Sequence, residues 1–114
     1  MYPVWVIRNV SFEGFRDEGG WYCRKATLPI PPFIGLGLPV DKGVDPVDVK
    51  FVWIDEAGGV VVQLEDDHYE DEDDDEIKDK AFRDEQLRYL TAGWERINLG
   101  TASFEPFESG PIPW

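Results

Sequence analysis

Residues 65 to 76 read EDDHYEDEDDDE, and ten of these twelve positions carry a carboxylate. Oxygen ligands at this density suit calcium or magnesium. The spacing does not suit a specific site. A calcium-binding loop of the EF-hand type needs glycine at its sixth position and a bidentate Glu at its twelfth. The window from Glu65 ends correctly on Glu76, but its sixth residue is Glu70, and no glycine occurs from 60 to 92. No metal or cofactor is expected.

Other residues capable of chemistry are few. His68 is the only histidine, and it sits among Asp67, Glu70 and their neighbours. Surrounding carboxylates favour the imidazolium, the wrong state for a general base, so a Ser–His–Asp arrangement has no suitable member. Cys23 lies between Tyr22 and Arg24. A nucleophilic thiol needs a nearby cation or a helix N-terminus. In a strand, alternation sends the Arg24 side chain to the opposite face, which leaves Cys23 as a small buried hydrophobe. The Gly-Leu-Gly at 35 to 37 precedes neither a helix nor a Gly-Lys-Ser/Thr, so it is not a phosphate loop. No two acids stand out as separate and unequal, as glycoside hydrolysis requires. The expectation is a protein that binds and does not turn over substrate.

The acidic stretch then becomes the natural contact, through Glu65, Asp66, Asp67, Glu70, Asp71, Glu72, Asp73, Asp74 and Asp75. A dense negative patch steers a basic partner toward it with strong salt dependence. Duplex DNA carries one charge per about 1.7 Å of axis, and a helical acidic run at about 1.5 Å per residue has a similar linear density. The partner expected is therefore a basic, nucleic-acid-binding or nuclease-like protein, inhibited by a partial mimic of a phosphate backbone. Small acidic inhibitors and immunity proteins are comparable in size and charge. The match is partial, because Lys78, Lys80, Arg83 and Arg88 interleave with Asp79, Asp84 and Glu85 beyond the run. Some of the acids have a local use. Asp73 and Glu76 have capping-box spacing, and acids in a first helical turn suit the positive end of its dipole. The remaining alternative is a solvated connection without a partner.

The formal net charge is −13, from 24 acids and 11 bases. Removing the ten acids of the run leaves about −3, so the acidity is local. It opposes direct binding to nucleic acid or to an anionic membrane surface. Apolar residues make up 42% of the 114-residue chain, enough for one domain with its own core. One cysteine allows no internal disulfide, no window has the apolar length of a membrane helix, and MYPVWVIRNV lacks the features of a signal peptide. A cytoplasmic location is the resulting expectation.

Several elements must position the acidic run. Residues 2 to 12 are apolar on both faces, as a central strand would be. EGFRDEGG (13 to 20) suggests a turn, and 21 to 28 a second strand. The segment 29 to 46 holds five prolines and three glycines. It can carry neither helix nor ladder, and the expectation is a wrap over a sheet edge. VDVKFVWID and VVVQLE, joined by EAGG, give a β-hairpin over 47 to 55 and 60 to 65, with Val47, Val49, Phe51 and Trp53 on one face. Residues 75 to 92 suggest a helix with a Leu87, Leu90, Trp94 stripe, Phe82 and Tyr89 beside it, and Gly93 as its cap. In that arrangement Trp94 can pack back on Tyr89. One further short strand is expected near Thr101 to Phe104.

The fold expected is α+β: an antiparallel sheet of four or five strands with one helix on a face, or alternatively a small open β-barrel with one helix. The tail from 104 to 114 carries Phe104, Phe107, Ile112 and Trp114. With the 29 to 46 loop these residues offer a second interface, for instance in a homodimer, unless they seal the chain's own core.

Overall fold

In a computed structural model of the chain, residues 2–12, 15–39, 45–69 and 87–108 are described. They form an α+β fold in which a mixed sheet curls into a half-barrel, with one short helix at 87–91 among the described residues. The strands are β1 (Tyr2–Phe12), β2 (Phe15–Leu28), β3 (Gly37–Leu38), β4 (Val47–Ile54), β5 (Val60–Leu64), β6 (Asp67–Tyr69) and β7 (Glu95–Ile97). Six lie in the order β3-β4-β5-β1-β2-β7, and β6 extends the line of β5 alongside β1.

The sheet thus has more strands than expected, and it is not purely antiparallel. β1 pairs antiparallel with β2 but parallel with both β5 and β6. The cause is the 29–46 connection. Leu28 ends β2 opposite Tyr2, whereas β4 must start at the other end of the sheet, since β5 runs with β1 and β4 against it. The connection therefore travels the length of the sheet, and residue spacing alone does not reveal that direction. On the way Gly37 and Leu38 pair with Asp48 and Val47. Gly35 N–H donates to Val49 O and Val49 N–H to Leu36 O, both within 2.9 Å, so the segment does cover part of the outer edge of β4.

β1 is the central strand, and each of its faces is buried. Val4, Val6 and Val10 join one core with Tyr22, Leu28, Val62, Leu64, Tyr89 and Trp94. Ile7 joins the other with Cys23, Val61 and Phe104, flanked by Trp5, Trp21 and Trp53. The helix lies on the first core, and the chain after β7 crosses the second.

Four local expectations need correction. β2 begins at Phe15 and continues through Gly19 and Gly20, where a turn was expected. Gly20 leaves room there for the Arg96 side chain, whose Nε lies 2.9 Å from where a Cβ would be. In β4 a register shift between Val49 and Phe51 changes which face each residue takes. Val52 joins Val47 and Val49 on the first core, Trp53 lies on the second, and Phe51 is half exposed. Tyr89 in the helix and Trp94 just past its cap face inward, while Leu87 and Leu90 are 64% and 46% exposed. The part of that helix expected over 75–86 lies outside the described residues. The strand near 101 to 104 is irregular chain instead, and β7 forms earlier.

The helix ends as its sequence suggests. Gly93 has φ of 91°, its N–H donates to Leu90 O, and Trp94 N–H donates to Tyr89 O. These are the two bonds of a Schellman cap. The Trp94 ring packs edge-on against Tyr89 at 5.6 Å.

Candidate functional site

The acidic stretch leaves the sheet where β1 nears its end. Its root is a buried arginine. The inward row of β1 reads Val4, Val6, Arg8, Val10, so alternation places a guanidinium among apolar side chains. An unpartnered buried charge is costly, so this one must be met by acceptors. Arg8 Nε donates to Glu65 O at 2.9 Å, and Nη1 donates to the Tyr89 hydroxyl at 2.9 Å. That hydroxyl in turn donates to Asp67 Oδ2 at 3.0 Å. The direct ion pair between Arg8 and Asp67 is long, 3.8 Å, so the tyrosine bridges it.

Three elements meet in this network: the central strand, the first residues of the acidic run, and the helix. Tyr89 stacks on Tyr22 at 4.9 Å, with Arg88 over its ring at 5.7 Å. Burial raises the Tyr89 pKa well above the ordinary value, the Asp67 carboxylate raises it further, and Arg8 opposes them. The hydroxyl therefore stays protonated and keeps donating to Asp67.

The expected contact residues separate accordingly. Asp67 is turned inward to Tyr89 and Arg8. Glu65 contributes its backbone to the root, with N–H to Asp48 O and C=O to Arg8, while its side chain is exposed. Asp66 is exposed. Glu70, Asp71, Glu72, Asp73, Asp74 and Asp75 lie outside the described residues, as does the His68 side chain. Among the described residues, no group of three or more His, Cys, Asp or Glu is placed to hold a metal ion.

At the opposite end of β1 the tail meets the β4–β5 turn. Gly58 N–H donates to Asp55 O, with Gly58 at φ 99°. The Asp55 carboxylate accepts from the N–H groups of Ala57 and Phe104, each at 3.1 Å. Gly59 N–H donates to Phe104 O, and a Cβ on Gly59 would sit only 2.3 Å from that oxygen. Only glycine admits so close a backbone approach.

Phe104 itself is 3% exposed and closes the second core. Its side chain is therefore not presented to a neighbour. Phe107 is half-buried and lies edge-on to Trp5 at 5.5 Å. Lys25 Nζ sits 5.0 Å from the Trp5 ring centre and 5.2 Å from that of Phe107. Ile112 and Trp114 lie outside the described residues.

Cys23 is buried in the second core. Burial, and then the Glu95 carboxylate, push its thiol up to about 11, against a smaller opposing effect of Lys25. It is held neutral, the reverse of an activated nucleophile.

Sequence reasoning missed Arg8, Tyr89 and Asp55 as organising residues. The signal for Arg8 was present: a charged residue in the inward row of a strand apolar on both faces. Asp55 and Gly59 gave no such signal, because their partner is Phe104, 49 and 45 positions away in sequence.

Among the described residues no helix is long and apolar enough to cross a membrane. No family model, curated protein or solved structure matches this chain.

Proposed function

We propose that this protein is a non-enzymatic binding module that presents its acidic segment to a basic protein of the nucleic-acid-binding or nuclease kind and inhibits it, partly by standing in for a phosphate backbone. The observation that carries this reading is the root at Arg8. It fixes Glu65 and Asp67 to the central strand, while the carboxylates of Glu65 and Asp66 face solvent. A charged segment tied to a rigid sheet costs less to order on binding than a free one.

The test is capture from the native host at low salt, with partners identified by mass spectrometry. The intact chain is compared with a variant carrying Asp71→Asn, Asp73→Asn, Asp74→Asn and Asp75→Asn. Retention of a basic nucleic-acid-binding protein, released as salt rises and absent with the variant, is the expected result. Equal retention by both chains contradicts it.

A second reading is self-association through the 29–46 loop. The exposure of Phe33 and Ile34, 53% and 68%, favours it. Sedimentation distinguishes it, since Ile34→Asp would then convert a dimer to a monomer.

A further inference from the structure

A cleft of about 180 Å³ opens at the Tyr2 end of β1. Its walls come from four separate stretches: Tyr2, Pro3 and Trp5 of β1, Pro32 of the long connection, the β4–β5 turn at Gly58 and Gly59, and Pro106 with Phe107. We propose that this cleft binds a proline-rich segment of another protein, in extended polyproline conformation and flanked by basic residues. The proposal does not rest on the acidic segment, which leaves the sheet at the other end of β1.

The chemistry of the walls selects the ligand. Pro3, Pro32 and Pro106 have no N–H to offer. The Trp5 indole N–H is already given to Glu105 O at 2.7 Å, and those of Gly58 and Gly59 to Asp55 O and Phe104 O. Among the lining side chains only the Tyr2 hydroxyl remains as a donor. A segment whose carbonyls needed donors inside the cleft would leave most of them unmatched. Proline rings bring no N–H, and a polyproline helix keeps its carbonyls in water. Aromatic faces held by rigid prolines are the surface on which such rings pack. Tyr2, 42% exposed, supplies one such face and a hydroxyl for a ligand carbonyl.

Charge selects the flanks. Glu56 lies on the turn beside Gly58, Glu105 precedes Pro106, and Glu108 follows Phe107, and all three are exposed. Lys25 opposes them from over the Trp5 and Phe107 rings. Arginine or lysine beside the prolines is therefore favoured over acids.

The test is a titration of the isotopically labelled full chain, followed by amide and indole NMR. The probe is a synthetic peptide of Pro-Pro-Ala repeats with an arginine at each end. Shifts at Tyr2, Gly58, Phe107 and the Trp5 indole, with none at Asp66 or Asp67, are expected. Tyr2→Ala should weaken binding by about tenfold while leaving the rest of the spectrum in place. Glu105→Lys, a rim change that leaves the walls intact, should weaken the arginine-flanked peptide and favour a glutamate-flanked one. The proposal is overturned by an absence of shifts, by equal binding of a peptide with alanine at every proline, or by shifts confined to the acidic end.

Discussion

The two ends of β1 solve opposite problems. At the Phe12 end, a charged side chain is buried so that a charged segment can be held in place. At the Tyr2 end, roughly 20 Å from Arg8 at about 3.3 Å per residue, backbone meets backbone. Gly59 and Phe104 lie too close for any side chain at position 59. The first joint is polar and depends on three partners aligning around one guanidinium. The second is apolar and depends on the absence of a Cβ. Removing an atom breaks the first, and adding one breaks the second.

The largest expected effect is at the apolar end. Phe104→Ala empties the second core and should cost about 3–5 kcal/mol in chemical denaturation. At the polar end, Arg8→Met leaves the half-buried Asp67 and the buried Tyr89 hydroxyl without their cation, and should cost about 3 kcal/mol. If the two ends are independent joints, the double variant loses the sum of the single losses. A shortfall would mean that the sheet couples them. Adding Asp67→Asn to Arg8→Met should recover part of the loss, because the unpaired charge is then gone.

A smaller effect should come from the helix cap. Gly93→Ala forces a side chain into the left-handed region and should cost about 1 kcal/mol. It loosens the helix that carries Tyr89, so it weakens the polar end alone.

The effect that is smallest near neutral pH is one that appears only under alkaline conditions. Above 9.0, its ordinary value, the thiol of Cys23 ionises in the unfolded chain, while the folded chain keeps the proton up to about 11. The unfolded state then holds fewer protons, so stability falls as pH rises through this window. Tyr22 and Tyr89, also raised by burial, act with the same sign at higher pH. Cys23→Ala should reduce the early part of the fall seen in thermal melts and leave the later part.

The sequence made the two ends unequally visible. A run apolar on both faces gave β1 its full extent and its central place, and EAGG gave the hairpin turn. Gly93 and Trp94 gave the helix cap, since all of its bonds are local. Long-range geometry was hidden. The parallel pairing of β1 with β5 depends on the path of an irregular connection. The bulge in β4 reversed the facing of Phe51 and Val52 against a clean alternating pattern. Leu87 and Leu90 fitted an apolar stripe, yet Tyr89 took the inward position because Arg8 and Asp67 need its hydroxyl. Of the contact surface, the exposure of Asp66 matched its composition, but nothing local distinguished Asp67, which turns inward.

The most direct test of the account is partner retention by the variant with Asp71, Asp73, Asp74 and Asp75 changed to Asn, with its denaturation midpoint measured beside that of the intact chain. The account expects the basic partner to be lost while the fold stays. Retention of the partner at unchanged affinity, or unfolding of the variant, would contradict it.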